Sequence, residues 1–426
     1  MNLAPLSVPV GREERRALLA AAAACFCMLC GYYMLRPMRE ALALEVGVSN
    51  NYVLFIAVLF CSAALLPIYW WLVGRTPRAR LLWIVYVAFV ALFVALAVAR
   101  AMLPGEPLLA AAFFIALSSS NLFVIAVFWS AMADVWRPDL AKRFYGYVAA
   151  GGSAGAVVGN LLVRWLVVDV GLPPLIVTAC VFILGAAVLV TLARRLLRRS
   201  PNGRTVPDGA IPVGGRALDD LSRLIRTPYL LGIGGIIVCG QIIGAFMYNE
   251  QGKYVATLFA SDVERTAVFA NIEIAVNLLA LFFQAVAVTW LTRRGSVGLS
   301  LSAMPALVGA SFVVLALVPV GSVLLITQVI RRAADYGLGK PTREMLFTVL
   351  NPESKFKSKG LIDTVLQRGS DVFGQALYKL VQGLGVAGMS WICAALAIVL
   401  LAATRSLGKG FESRRRADDP AVGVAQ

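Results

Sequence analysis

Apolar residues run through the chain in stretches of about twenty, separated by short polar turns, and this rhythm predicts about twelve membrane-crossing helices. A helix rises about 1.5 Å per residue, so roughly 20 apolar residues cover the roughly 30 Å of bilayer hydrocarbon. The stretches fall at 17–45, 51–73, 81–101, 108–133, 144–168, 173–195, 228–250, 264–292, 296–318, 322–347, 361–383 and 388–405. Between the sixth and the seventh, 196–227 contains SPNGRTVPDGAIPVGG, rich in Gly and Pro, and reads as a linker. The expected layout is a six-helix bundle at 1–195, a cytoplasmic linker at 196–227, a second bundle at 228–407 and a disordered tail at 408–426.

The two sets of six look related. Span starts 17/228, 51/264 and 108/322 differ by 211, 213 and 214 residues, close to half of 426. Pro138-Asp139 before Lys142, after the fourth span, is echoed by Pro352-Glu353 before Lys355 and Lys357, after the tenth. A duplicated six-helix unit accounts for both. An all-α membrane protein of about twelve helices in two duplicated bundles resembles the major facilitator transporters, although 74–80 reads GRTPRAR, without the Asp of that superfamily's loop motif.

Composition agrees with the pattern. With 60% hydrophobic and 15% charged residues and a mean hydropathy of +0.80, the chain is too apolar for a soluble globule. The net charge of +16 raises nucleic acid as a partner, but the cations sit in alternate loops. Arg12, Arg15 and Arg16 precede the first span, Arg75, Arg78 and Arg80 follow the second, Arg137, Lys142 and Arg143 follow the fourth, and the linker and tail are basic. The turns at 47–50, 102–107, 169–172, 319–321 and 384–387 hold no Lys or Arg. This is the positive-inside distribution of a plasma-membrane protein with both termini in the cytoplasm, surrounded by lipid and binding no nucleic acid.

All seven cysteines lie in apolar stretches and read as packed thiols, and there is no His. No metal or cofactor site, catalytic triad or nucleotide-hydrolysing motif is visible, so an enzyme is not expected. Gly146, Gly151, Gly152, Gly155 and Gly159 in the fifth span resemble a glycine-rich loop but lack the following Lys-Ser/Thr of a phosphate cradle, and small residues four apart let membrane helices approach closely. Trp70, Trp71, Trp83, Trp129 and Trp136 near span ends read as interfacial anchors.

Candidate chemistry lies in charges inside the apolar spans. A charge in hydrocarbon costs at least roughly 2.5–3.5 kcal/mol, so each needs water, a partner or a ligand. In the first span Arg36, Arg39 and Glu40 share one helical face. The seventh ends in Asn249, Glu250, Gln251 and Lys253, and the eighth holds Glu273, Asn277 and Gln284. The tenth carries Arg331, Arg332, Asp335, Lys340, Arg343 and Glu344, which either line a cavity or, for the last three, extend into the cytoplasm. In the eleventh, Thr364, Arg368, Asp371, Gln375, Lys379 and Gln382 form a stripe at helical period, with Arg368 and Asp371 either lining a cavity or holding helices together as an ion pair. The offset of 211 sets Glu250 opposite Arg39 in the duplicated unit, on facing halves of one central cavity. Nine buried candidates are basic and six acidic, and arginine's planar fork suits phosphate or carboxylate.

These residues also resemble the ATP/ADP translocase, or nucleotide transporter, family and its bacterial relatives. Its span-one pattern LRDTKD reads Leu35-Arg36-Pro37-Met38-Arg39-Glu40 here, and its span-ten TKEM reads Thr342-Arg343-Glu344-Met345. FWSAMAD at 128–134 and AKRFYGYVAAGGS at 141–153 are similar to its fourth and fifth spans. The resemblance implies that Arg39 and Arg343 stand on transport-critical lysines, and that Glu250 matches a functional Glu.

The expected function is secondary active transport of an organic or phosphorylated anion, such as a nucleotide, across the bacterial inner membrane by alternating access, by a monomer. Arg36, Arg39, Glu40, Glu250, Lys253, Arg331, Arg332, Asp335 and Arg343 are the substrate-binding candidates, and Glu273, Arg368 and Asp371 the coupling candidates. A lipid translocator and a non-transporting sensor or scaffold are the alternatives.

Overall fold

The computed structural model describes residues 11–135, 138–198, 228–288, 297–346 and 366–417. Most of the linker, the loop with Pro352, Glu353, Lys355 and Lys357, Thr364, Trp136 and the last residues of the tail lie outside the described residues. Helix occupies every expected span where it is described. The elements are α1 (Arg12–Val46), α2 (Asn51–Arg75), α3 (Arg78–Met102), α4 (Pro107–Val135), α5 (Pro138–Val170) and α6 (Leu172–Arg198), then α7 (Pro228–Leu258), α8 (Asp262–Phe282) and α9 (Val297–Leu317). After these come α10 (Gly321–Ala334), α11 (Lys340–Leu346), α12 (Gln367–Val381) and α13 (Gly385–Ala417). Two π-helical turns interrupt the regular geometry: Phe283–Val288 continues α8, and Asp335–Gly339 joins α10 to α11. There is no strand among the described residues, and nine helical stretches there are long and apolar enough to cross a membrane.

The tail requires a correction. Helix α13 continues to Ala417, so the described part of 408–426 is helical where the sequence reading expected disorder. Leu407 and Phe411, one turn apart, share a face that is buried against Tyr229, Leu230 and Ile233 of α7. That burial offsets the chain entropy that a solvated tail would retain.

The described residues gather into two compact units. The first holds residues up to Glu45, the helices from Phe60 through α6, and Asp262–Ala270. The second holds Val46–Leu59, α7, and α8 from Asn271 through α13. Each half of the chain thus lends a short piece, the start of α2 or the start of α8, to the unit built by the other half.

Packing within the units repeats. In the first, α3 packs on α6 and α4, and α5 lies on α1. In the second, α9 packs on α13 and α10, and α12 lies on α7. The same spans of each set of six therefore pair, as a duplicated unit requires. The α1–α5 contact is made by the glycine stripe. A Cβ at Gly151 would stand 2.5 Å from the Ala22 carbonyl oxygen, and those at Gly155 and Gly159 would collide with the backbone of Phe26 and Cys30. At α1's other flank, Gly31 is backed by the Ala179 carbonyl of α6, where a Cβ would stand at 2.6 Å. Gly171, at φ 74°, makes the single-residue turn from α5 to α6, a left-handed conformation that favours glycine.

The core of the first unit includes Phe89, Phe93 and Phe113, with Phe93 and Phe113 edge to face at 5.2 Å. In the second unit Phe246, Phe312, Leu315, Leu324 and Met389 pack together. Phe60, Trp70, Trp71, Trp165, Leu380 and Ile398 are exposed, an exterior suited to a hydrocarbon solvent.

Candidate functional site

In the first unit the charges of α1 are sorted by face. Between residues 29 and 39 the partly open positions are Leu29, Tyr33, Arg36 and Arg39, spaced by four, three and three, while Glu40 is buried. Arg36 lies ten residues from the Val46 end, about 15 Å along the axis and so near the middle of a bilayer. Its guanidinium lies over the Tyr33 ring at 5.5 Å. Arg39 is ion-paired with Glu40, donates to the Ser118 hydroxyl at 3.3 Å and lies over the Phe114 ring at 5.2 Å. Ser118 and Phe114 are one turn apart on α4, so a single face of that helix holds the arginine.

In the second unit α7, α8, α10 and α12 supply the polar groups. The Tyr378 hydroxyl donates to Glu250 at 2.6 Å, Lys253 stands 3.4 Å from the same carboxylate, and its ammonium lies 5.1 Å from the Tyr378 ring centre. At the next residue, Gln251, the Gln328 amide donates at 2.6 Å, and the Gln328 oxygen accepts from Arg331 at 2.9 Å. Arg331 is ten residues from the start of α10, again about 15 Å along the axis.

Arg332 pairs with Glu273 of α8 at 2.6 Å, with the carboxylate 1% and the guanidinium 11% exposed. Low exposure on both sides makes this a desolvated pair, which is expensive to break from one side. Beyond it Tyr336 carries two cations near its ring, Lys340 at 4.3 Å and Arg332 at 5.9 Å. Asp335 opens the π-helical turn and Gly337 within it packs on Ala280 and Phe283 of α8, where a Cβ would stand 2.8 Å from the Ala280 carbonyl oxygen. The Gln284 amide donates to the Tyr336 carbonyl at 3.1 Å, tying the segment to α8. Arg343 is partly buried on α11, and Glu344 is exposed. On α12, Asp371 accepts from Gln241 of α7 and stands 3.8 Å from Arg368, so the stripe also ties helices together.

The structure thus joins Arg39 with Glu40, Glu250 with Lys253, Arg332 with Glu273, and Arg368 with Asp371. The sequence reading takes Glu273 as a coupling candidate without pairing it with Arg332, and it does not single out Tyr33, Ser118, Gln328, Tyr336 or Tyr378. Some of these carried a signal. Tyr336 is four residues from both Arg332 and Lys340, and Tyr378 is three from Gln375, both helical neighbours. Gln328 is three residues before Arg331, which donates to it, whereas Ser118 carried none, because its partner lies on another helix. No three His, Cys, Asp or Glu side chains converge to hold a metal among the described residues.

Arginines halfway along apolar helices, held by buried acids and aromatic rings, define a polar interior in an integral membrane protein. The fold is the major facilitator fold, built from about twelve helices in two sets of six. Solved structures that share it include the nucleoside transporter NupG, with 14% identity and a TM-score of 0.62 over 92% of this chain and 98% of that one. A peptide transporter, POT, in complex with sulfate has 16% identity and a TM-score of 0.65 over 95% and 97%. A bacterial homologue of the iron transporter ferroportin, in an inward-facing state, has 11% identity and a TM-score of 0.67 over 92% and 99%. No family model matches the chain, and no curated protein matches its sequence.

Proposed function

We propose that the chain is a secondary active transporter that moves an organic or phosphorylated anion across the membrane by alternating access, its Lys- and Arg-poor turns facing outward. The observation that carries this reading is the open line of α1, where Tyr33, Arg36 and Arg39 are the partly open positions of a helix otherwise buried at that level. A partly open arginine at mid-depth is costly against lipid and favourable against a water-filled path that admits an anion. Arg331, Arg332 and Arg343 supply cations in the second unit. Glu40 and Glu273 hold the counter-charge for Arg39 and Arg332 when no substrate is bound. Among proteins of the same fold, NupG transports nucleosides and POT was solved with sulfate. Together with the resemblance of Arg39, Glu250 and Arg343 to nucleotide transporter positions, this makes nucleotides the first anions to test.

The test is uptake by proteoliposomes of labelled nucleotides, sugar phosphates and dicarboxylates, in parallel with thermal shift of the purified chain. Arg39→Ala and Arg331→Ala abolish both uptake and ligand-induced stabilisation if the reading is right. Uptake that needs internal substrate and ignores pH identifies exchange; uptake driven by a pH gradient and lost in Glu273→Gln identifies proton coupling. Stabilisation by lipid head groups alone, with no soluble anion carried, overturns the anion reading in favour of lipid translocation.

A further inference from the structure

Three charged side chains outside the proposed anion site meet at the end of the helices where α1 finishes and α8 begins. Arg100, two residues from the end of α3, is ion-paired with Glu45 of α1 and stands 3.0 Å from Asp262, the first residue of α8. The arginine side chain is 8% exposed. Glu45 and Arg100 come from the first half of the chain and Asp262 from the second, yet all three lie in one compact unit, because Asp262–Ala270 belongs with the first half's helices.

The other unit has a matching crossing made of neutral groups. There the Asn51 amide, at the start of α2, donates to Asn249 of α7 at 2.8 Å, and the Asn249 amide donates to Gln375 of α12 at 2.7 Å. Beside it Lys379 lies 3.9 Å from the Tyr52 ring centre and Phe55 meets Tyr248 at 5.6 Å. Each compact unit thus contains a contact between residues from the two halves of the chain.

We infer that Arg100, bridging Glu45 and Asp262, is the outer latch of the transporter, the contact that must break for the outer end to open. The inference rests on the transporter reading above. Two features suit the triad to a reversible contact rather than a permanent brace. Arg100 Nη1 and Glu45 Oε2 are buried without a hydrogen-bond partner, so the closed state leaves two strong polar atoms unsatisfied. Opening returns water to both and recovers part of what breaking the bridges loses. Two carboxylates also share one guanidinium, and Asp262 is 27% exposed, so water already reaches one side of the bridge. Removing Arg100 frees both carboxylates, whereas removing either carboxylate leaves one bridge.

Hydrogen–deuterium exchange of the full chain in nanodiscs, without substrate, tests this directly. Arg100→Ala is expected to raise exchange at least about tenfold, or about 1.4 kcal/mol, in peptides spanning 46–59 and 259–270, while the α3–α6 core of the first unit stays protected. Glu45→Gln and Asp262→Asn should each give a smaller rise, and the double variant should match Arg100→Ala. Unchanged exchange at both segments in a folded Arg100→Ala protein overturns the latch, as does failure of the double variant to exceed the single ones. If Arg100→Ala does not fold, the two carboxamide variants carry the same comparison. The measurement needs no transported substrate, so it fails or succeeds apart from the anion assignment.

Discussion

Replacing Arg332 with leucine removes one partner of a buried pair and leaves the other in place. Glu273, 1% exposed and 2.6 Å from the guanidinium, then loses the counter-charge that Arg332 supplies. Losing one member of a desolvated pair costs about 3–5 kcal/mol, because the survivor keeps the full desolvation penalty, whereas replacing both by apolar residues of similar volume is close to neutral. Arg332→Leu and Glu273→Leu should each lower unfolding free energy by about that amount, and the same two substitutions together should return to within about 1 kcal/mol of the parent. The cycle then closes with a coupling of at least about 3 kcal/mol, measured by denaturant unfolding in nanodiscs at fixed pH. Single variants that cost about 1 kcal/mol or less and add in the double variant would refute the reasoning, since they would describe a solvated pair.

Other outcomes follow from named contacts. Arg39→Lys keeps the charge but loses the fork that reaches both Glu40 and Ser118, so it should retain weak anion-induced stabilisation in thermal shift while Arg39→Ala retains none. Gly155→Ala places a Cβ against the Phe26 backbone and should lower stability by about 1–3 kcal/mol, whereas Gly146→Ala, which meets nothing within 4 Å inside α5, should raise it by about 0.5–1 kcal/mol. Phe411→Ala empties a buried position of α13 against α7 and should cost about 3–5 kcal/mol, visible as a lower unfolding midpoint; a tail that contributes nothing would show no change.

The sequence by itself determined the helices, because crossing hydrocarbon demands about twenty apolar residues with every backbone group bonded inside the segment. That demand is local, so the spans from 17–45 onward could be read residue by residue. The glycine stripe of α5 was legible for the same reason, since 151, 155 and 159 lie on one face whatever helix they meet. The duplication was legible as spacing, and the repeated helix pairings follow from it.

The tertiary structure decided which charges meet. Arg332 takes Glu273, 59 residues away, and Tyr378 takes Glu250, at a separation of 128. Arg100 gathers carboxylates from both halves of the chain. Such choices depend on how each helix is rotated about its axis and which helices neighbour it, and apolar composition leaves both open. The same holds for 408–417: a basic, Gly-containing end reads as a tail until Leu407 and Phe411 find Tyr229 and Leu230 to pack on. Composition required that the buried charges be compensated, and the packing of distant helices chose the partners.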